Sequence, residues 1–273
     1  MCVYGGDDPE WFQAAAESIL KQTAPPDEVV LVVDGPVPEE LDCVIAGFGK
    51  RPEFRVIRLS ENRGHGTARR ISLENCTHEL VALMDADDIS VSERFERQLA
   101  RFREEPGLSI VGGDIAEFRG FPENVVGIRR VYREDSAIKK DLRRRSPMNQ
   151  VTVMFKKGDV AGAGGYLDWY CEEDYYLWIR MCLKGMKFAN VPQVLCRVRV
   201  GEELYRRRGG LRYFKSEVRL QRYLLDNRMI GMGTYLFNVS KRLVVQVLLP
   251  NQLRGWVFQR FARGRPKDGE KTV

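Results

Sequence analysis

Three carboxylates fall within four residues, Asp85-Ala86-Asp87-Asp88, directly behind the apolar run Leu80-Val81-Ala82-Leu83-Met84. Five apolar residues without alternation suit a strand buried on both faces, and open α/β sheets bind ligands just outside the carboxyl ends of such strands. The carboxylates are therefore expected in a ligand crevice. In extended backbone Asp85 and Asp87 project to one side and Asp88 to the other. Hard divalent ions such as Mg2+ take one or two carboxylates together with substrate phosphates, so the motif suits a cation that accompanies a phosphorylated ligand. The alternative is an Asp-rich turn capping a helix that starts near Ser92. Asp34 likewise ends an apolar run, Glu28 to Val33, and precedes Gly35-Pro36. Glu172-Glu173-Asp174 opens a helical pattern closed by Gly185, and acids there also satisfy the helix dipole with no chemistry attached.

The elements that must position these groups alternate. Residues 9–23 place Phe12, Ala15, Ala16, Ile19 and Leu20 at helical spacing behind Asp7-Asp8, with Pro9 in the first turn and Pro25-Pro26 as the stop. Strand Glu28 to Val33, helix 38–49, strand Phe54 to Leu59 and helix Gly66 to Asn75 lead to the Leu80 strand. Four alternations of strand and helix call for a parallel sheet with crossover helices. Helix Ser92 to Glu105, a short strand from Ile110-Val111, a charged and poorly periodic stretch from Phe118 to Gln150, strand Val151 to Phe155, the loop Gly162 to Tyr166 and helix Glu172 to Lys184 follow. Trp178 is assigned to the core.

The chain of 273 residues, 44% of them hydrophobic, can hold one large domain with an extension. Six scattered cysteines form no Cys-X-X-Cys pair, so neither a zinc site nor a disulfide scaffold is suggested, and free thiols in a reducing cytosol are expected. Met1-Cys2-Val3-Tyr4 lacks a basic segment followed by an apolar one, so no signal peptide is expected, and no stretch reaches the length of a membrane span. The net charge of +6 is uneven: residues 201–273 carry 16 Lys/Arg against 6 Asp/Glu, leaving 28 against 32 for residues 1–200. A mildly acidic body with a basic tail fits an anionic membrane surface better than nucleic acid. Residues 241–262 set Leu243, Val244, Val247, Leu248, Trp256, Val257, Phe258 and Phe261 among Lys and Arg, split by Pro250. Such helices suit a membrane interface or packing on the preceding domain.

Six segments in order carry a resemblance: Met1-Cys2-Val3-Tyr4, Ser18-Ile19-Leu20-Lys21-Gln22-Thr23, Val30 to Pro36 (Val-Leu-Val-Val-Asp-Gly-Pro), Glu61-Asn62-Arg63-Gly64, Met84-Asp85-Ala86-Asp87-Asp88 and Glu173-Asp174-Tyr175-Tyr176-Leu177-Trp178. Over roughly residues 1–200 the chain resembles the bacterial family 2 glycosyltransferases. The resemblance implies an α/β, GT-A (nucleotide-diphospho-sugar transferase) fold, mostly parallel sheet flanked by helices, over residues 1–205, with a basic helical extension over 206–273. It implies an inverting, metal-dependent transfer from a nucleotide sugar, with a UDP-sugar as the expected donor, to a glycan or lipid-linked acceptor in surface polysaccharide synthesis at the inner face of the cell membrane. In that family's terms Tyr4 stacks on the base and Asp34 accepts hydrogen bonds from it. Arg69 or Arg70 sits by the base or diphosphate, Asp85 contacts ribose or sugar, Asp87 holds Mn2+ or Mg2+, and Asp174 is the general base. No Ser, Cys or His nucleophile is needed, and His65 and His78 are read as loop residues.

The departures are Gly5 where Asn is common, Val33 in place of an acid, Arg70 where Asn often follows Ala-Arg, and Gln150 in place of His. Two other classes compete. A nucleotidyltransferase would show a basic Gly-rich phosphate loop after the first strand, where Gly5-Gly6-Asp7-Asp8 is acidic. A non-catalytic adaptor binding membrane or nucleic acid through the tail would not need Asp34, Asp85, Asp87 and Asp174 together.

Overall fold

The computed structural model describes residues 1–201 and 210–248. Two sheets share the work. In the first, β1 (Cys2–Tyr4), β2 (Val29–Asp34) and β3 (Phe54–Arg58) run parallel in that order, joined by α1 (Pro9–Leu20) and α2 (Glu39–Phe48). All six residues of β2 are buried, as a central strand covered on both faces requires. Asp8 caps α1 by accepting the N–H groups of Glu10 and Trp11, with Pro9 opening the helix. The face of α1 that carries Phe12, Ala15, Ala16 and Ile19 is buried, at the spacing expected.

The second sheet is mixed and corrects the expectation that the fourth strand continues a parallel sheet. After α3 (His65–Asn75), β4 (Leu80–Ala82) pairs antiparallel with β8 (Met154–Lys156). The sheet order is β4, β8, β6 (Leu108–Phe118), β9 (Lys187–Arg199) and β5 (Ile89–Ser90), with β7 (Val125–Arg129) on the side of β6. Only β6 and β9 run parallel within it. Each residue of β4 is half-buried, so its unbroken apolar run does not reflect burial on both faces. The short strand expected at Ile110 is eleven residues long and buried throughout. Its partner β9 escapes a reading by pattern because Pro192 interrupts it. The register jumps from Gly113↔Val191 to Asp114↔Val194, which puts Pro192 and Gln193 in a bulge without ladder bonds.

Helix α4 (Arg94–Glu104) packs on this sheet, and the poorly periodic stretch contains β7 and α5 (Asp135–Leu142), the latter anchored by Ile138 and Leu142. A short α6 (Lys157–Gly162) follows β8. Helix α7 (Glu173–Leu183) buries Tyr175, Leu177, Trp178 and Ile179, and Gly185 at φ +76° terminates it. Two further helices are α8 (Gly210–Asp226) and α9 (Met232–Leu243), with a π-helical turn over Val244–Leu248. One apolar cluster joins the parallel sheet to α1, α2 and α4, and another gathers Phe155, Trp178, Tyr175 and Ile110 with Leu220 and Leu224 of α8. Helix α8 thus packs on the body through its apolar stripe. The expected boundary at 205/206 and the stretch 249–262 of the amphipathic tail lie outside the described residues, as does Arg206-Arg207-Arg208. The six cysteines are free thiols.

Candidate active site

A cleft of about 1590 Å³ opens where the ends of β1 and β2, the β4–β5 turn, the start of α7 and one face of α9 meet. Tyr4, Asp34, Asp85, Asp87 and Asp174 all line it. The structure therefore brings together five of the seven residues singled out from the sequence. Arg69 and Arg70 do not line it, for different reasons. Arg70 points outward on α3, half-exposed, with Glu74 at 3.9 Å. Arg69 is buried behind the cleft wall, donating from Nη2 to Asp85 Oδ1 at 2.8 Å and from Nη1 to Glu173 Oε1 at 3.1 Å. The two arginines differ because successive residues of α3 face about 100° apart.

Tyr4 ends β1 with its ring 47% exposed and folded over Gly6. A Cβ at Gly6 would stand 2.7 Å from that ring, so only glycine leaves it in place. The Tyr4 N–H donates to Asp7 Oδ2 at 3.0 Å. Asp34 is buried, and its two oxygens accept the N–H groups of Arg63 at 2.7 Å and Gly64 at 3.0 Å. That pairing fixes the Glu61–Gly64 loop at the end of β2. The loop approaches Gly35, at φ +89°, so closely that a Cβ there would meet the Asn62 nitrogen at 2.6 Å. Each Asp34 oxygen keeps a second lone pair for a ligand donor.

The Asp85-Ala86-Asp87-Asp88 turn is braced from beneath. Arg94 is fully buried and donates from Nη2 to the Leu83 carbonyl at 2.7 Å and from Nε to Gln98 Oε1 at 3.1 Å. Arg199, near the end of β9, donates its N–H to Asp88 Oδ1 at 2.9 Å and Nε to the Asp87 carbonyl at 3.3 Å. Its guanidinium lies between the rings of Trp11 and Phe118, 4.3 and 4.8 Å from their centroids. Burial pushes the Asp88 carboxyl well up from its usual value, and the charges of Asp87 and Asp85 add to the push. Burial, followed by Asp87, likewise pushes Asp7 up to about 6, against the pull of the Tyr4 N–H. Burial works the same way on Asp85, but Arg69 and then His65 outweigh it and hold this carboxyl below the ordinary range.

Negative charge thus accumulates around Asp7, Asp87 and Asp88, an environment that a divalent cation relieves. Among the described residues no three His, Cys, Asp or Glu side chains cluster tightly enough to ligate an ion alone. That fits Mg2+ or Mn2+, whose ligand set is completed by phosphate oxygens and water around one or two carboxylates.

At the start of α7 the three acids divide. Asp174 faces the cleft, its Oδ1 accepting the Tyr175 N–H at 2.7 Å. Glu173 is buried against Arg69, with His65 Nδ1 at 3.4 Å from Oε1. Burial pushes the Glu173 carboxyl up, while the His65 contact and the Arg69 charge prevail and hold it low. Glu172 is buried and accepts the Tyr213 hydroxyl of α8 at 2.6 Å. His65 opens α3 and lines the cleft, which corrects its reading as a loop residue; His78 is an exposed loop residue. Asn149 and Gln150 both line the cleft, with the Asn149 amide nitrogen donating to the Gly113 carbonyl at 2.8 Å.

Residues missed from the sequence are Asp7, His65, Glu173 and Arg199. Proximity to a motif could have flagged the first three, since Asp7 follows Tyr4 in the same turn, His65 follows Asn62-Arg63-Gly64, and Glu173 precedes Asp174. Arg199 reaches the site only through pairing across the bulged β6–β9 ladder, which no local pattern announces.

Residues 1–160 match glycosyl transferase family 2. The chain is 36% identical to an uncharacterized glycosyltransferase of Haemophilus influenzae over 96% of this chain and 97% of that one. It is 34% identical to a UDP-Gal:alpha-D-GlcNAc-diphosphoundecaprenol beta-1,3-galactosyltransferase of Escherichia coli, covering 96% and 95%. An amylovoran biosynthesis glycosyltransferase of Erwinia amylovora is 34% identical, covering 96% and 97%. In fold the chain is similar to Staphylococcus aureus TarS in complex with UDP-GlcNAc, at TM-score 0.65 and 14% identity over 94% of this chain and 77% of that one. It is also similar to a Pyrobaculum calidifontis mannosyltransferase in complex with GDP-Man and Mn2+, at TM-score 0.60 and 18% identity over 92% and 76%. The architecture is thus the GT-A-like α/β fold of these enzymes, and the chain belongs to glycosyl transferase family 2.

Proposed function

We propose that this glycosyltransferase moves a hexose from a UDP-sugar, with inversion, onto a saccharide linked to a lipid diphosphate during synthesis of a surface polysaccharide. The observation that carries the reading is the meeting of two carboxylate groups on one cleft. Asp85 and Asp87 lie on one side and Asp174 at the start of α7 on the other, with Arg69 bridging Asp85 to Glu173 behind them. Similarity over nearly the whole length to the E. coli enzyme named for diphosphoundecaprenol supports the acceptor class.

The residues divide the chemistry. Tyr4 offers an exposed ring on which a uracil can stack. Asp34 takes the base N–H on its remaining lone pairs, and Asp85, kept ionised by Arg69, accepts ribose or sugar hydroxyls. Asp87 would hold Mg2+ or Mn2+, which would supply the positive charge that a departing diphosphate needs. Asp174 takes the acceptor hydroxyl proton as that oxygen bonds to the anomeric carbon. The bond from that carbon to the diphosphate oxygen breaks in the same displacement, releasing UDP and inverting the centre.

Among the described residues no helix is long and apolar enough to cross a membrane. The basic charge of residues 201–273 supports work at the anionic inner face of the cell membrane as a peripheral protein. Thermal unfolding with UDP, GDP, UDP-galactose, UDP-glucose and UDP-GlcNAc, each with Mn2+ and with EDTA, tests the donor class, because a ligand that binds only the folded state raises Tm. A Mn2+-dependent rise confined to UDP compounds is expected. Equal rises with GDP, or none with any nucleotide, would refute a UDP-sugar donor.

A further inference from the structure

Helix α9 is built inside out. Its buried side chain is polar: Asn238 donates to the Arg143 carbonyl at 3.1 Å and to Gln221 Oε1 at 2.8 Å. Arg242, one turn on, pairs with Glu217 of α8 and donates to the Arg144 carbonyl at 2.9 Å. Tyr235 packs on the second apolar cluster, but three other apolar residues look outward, Met232 and Leu236 each 56% exposed and Phe237 68% exposed. A helix in a soluble protein ordinarily buries such a stripe, and an exposed one marks a surface that meets something apolar.

The same helix carries charge into the cleft. Phe237, Lys241 and Val245 are spaced four residues apart and all line it, next to Arg144 and Arg145 from the turn that α9 clamps. Arg145 has Asp141 at 2.8 Å, whereas among the described residues no carboxylate pairs with Arg144 or Lys241. Cations beside an exposed phenylalanine call for a ligand that is anionic at one point and apolar next to it. The cleft volume of about 1590 Å³ also exceeds the roughly 300–1,000 Å³ typical of one ligand's pocket, which leaves room for a second molecule beside a nucleotide. This wall is tied to the base-bearing helix. Glu217, the partner of Arg242, stands 3.3 Å from the Tyr213 hydroxyl, which in turn donates to Glu172 two residues before Asp174.

We infer that Arg144, Arg145 and Lys241 bind the diphosphate of the acceptor, while Phe237 and the outer stripe of α9 seat the hydrocarbon joined to it. The inference rests on the lipid-diphosphate acceptor proposed above, and it assigns that ligand's two chemistries to one helix and one turn. An apolar chain laid along α9 covers Met232, Leu236 and Phe237, which otherwise face water. The diphosphate meets three cations, of which Arg144 and Lys241 have no carboxylate partner among the described residues and Arg145 has Asp141.

The test is a calorimetric titration of the full chain, first loaded with UDP and excess Mg2+, using decyl diphosphate below its micellar concentration. Inorganic pyrophosphate carries the charge alone, and decyl maltoside the chain alone. Decyl diphosphate is expected to bind with UDP in place, at least about tenfold tighter than either control. Arg144→Glu and Lys241→Glu should each weaken it about tenfold, and Phe237→Asp should weaken it about tenfold without affecting pyrophosphate. All three side chains are exposed, so unchanged Tm values establish that the variants fold. Displacement of UDP by decyl diphosphate, equal binding of decyl maltoside, or variants that bind like the parent would overturn the assignment. So would absence of binding to the UDP-loaded chain, the result expected if the chain's own residues 249–273 cover the stripe. If UDP itself fails to bind, the donor reading falls; if UDP binds and decyl diphosphate does not, only this inference falls.

Discussion

Two walls of one cleft differ in how they hold their charge. The carboxylate wall, with Asp34, Asp85 and Asp88, is fixed by specific partners: the buried Arg69 behind Asp85, the Arg63 and Gly64 amides on Asp34, and the Arg199 amide on Asp88. The α9 wall presents Arg144, Lys241 and Phe237 on exposed side chains, and only the backbone beneath them is clamped by Asn238 and Arg242. The first wall is organised in advance for one rigid, highly charged ligand. The second is an exposed surface of mixed chemistry, which suits the lipid anion proposed for it. Preorganisation lowers the entropy lost on binding, so it belongs where geometry decides the reaction.

The sharpest way to break this contrast is at the base between the walls. Asp174→Asn should lower kcat by about 10²–10⁴-fold with UDP affinity unchanged, the cost of losing proton abstraction. Steady-state transfer together with a UDP titration checks it, and near-normal kcat would remove Asp174 from the role. The next test contrasts two neighbours on α3. Arg69→Gln strands Asp85 and Glu173 without their cation and should cost about 3–5 kcal/mol of stability, whereas Arg70→Gln should stay within about 0.5 kcal/mol. Urea unfolding of both variants separates a buried strut from a surface pair.

A smaller effect is expected at the nucleotide base. Tyr4→Ala removes a stacking surface worth about 1–3 kcal/mol and should weaken UDP binding by roughly tenfold or more. Gly6→Ala should weaken it in the same direction by pushing the ring aside, and UDP affinities measured on both variants test whether ring position matters.

The last effect concerns pH. Asp7 is raised from 3.8 to about 6, so the folded state holds its proton more tightly than the unfolded state. Its contribution to stability is fully present below the unfolded value and is lost as pH rises through about 6. Asp7→Asn should therefore raise Tm above that of the parent near neutral pH, and the gain should fade as pH falls from about 6 towards 3.8. Melting curves across that range decide it. A gain that does not depend on pH would mean that the carboxylate carries no such penalty.

Legibility in the sequence followed the range of the interactions. The α1 face, the β2 run and the capped α7 depend on spacing within a dozen residues, and their patterns can be read directly. The acids Asp34, Asp85, Asp87 and Asp174 are visible because each sits at an abrupt change from apolar to polar residues. The antiparallel pairing of β4 with β8, the long β9 and the position of Arg199 depend on contacts between segments more than 70 residues apart. Pro192 further disguises β9 by removing an N–H where a pattern expects continuity. Glu173 looks ordinary in sequence because its importance comes from the buried Arg69, and His65 because its contact is with Glu173, far along the chain.

The carboxylate wall is proposed to bind the donor diphosphate through a divalent cation on Asp87. Calorimetric titration of UDP into the parent and into Asp87→Asn, each with Mn2+ and with EDTA, tests it most directly. The account predicts tight binding by the parent only with Mn2+, and weak binding by the variant, at unchanged Tm, in both conditions. Binding by the parent that is indifferent to EDTA, or a variant that still gains affinity from Mn2+, would contradict it.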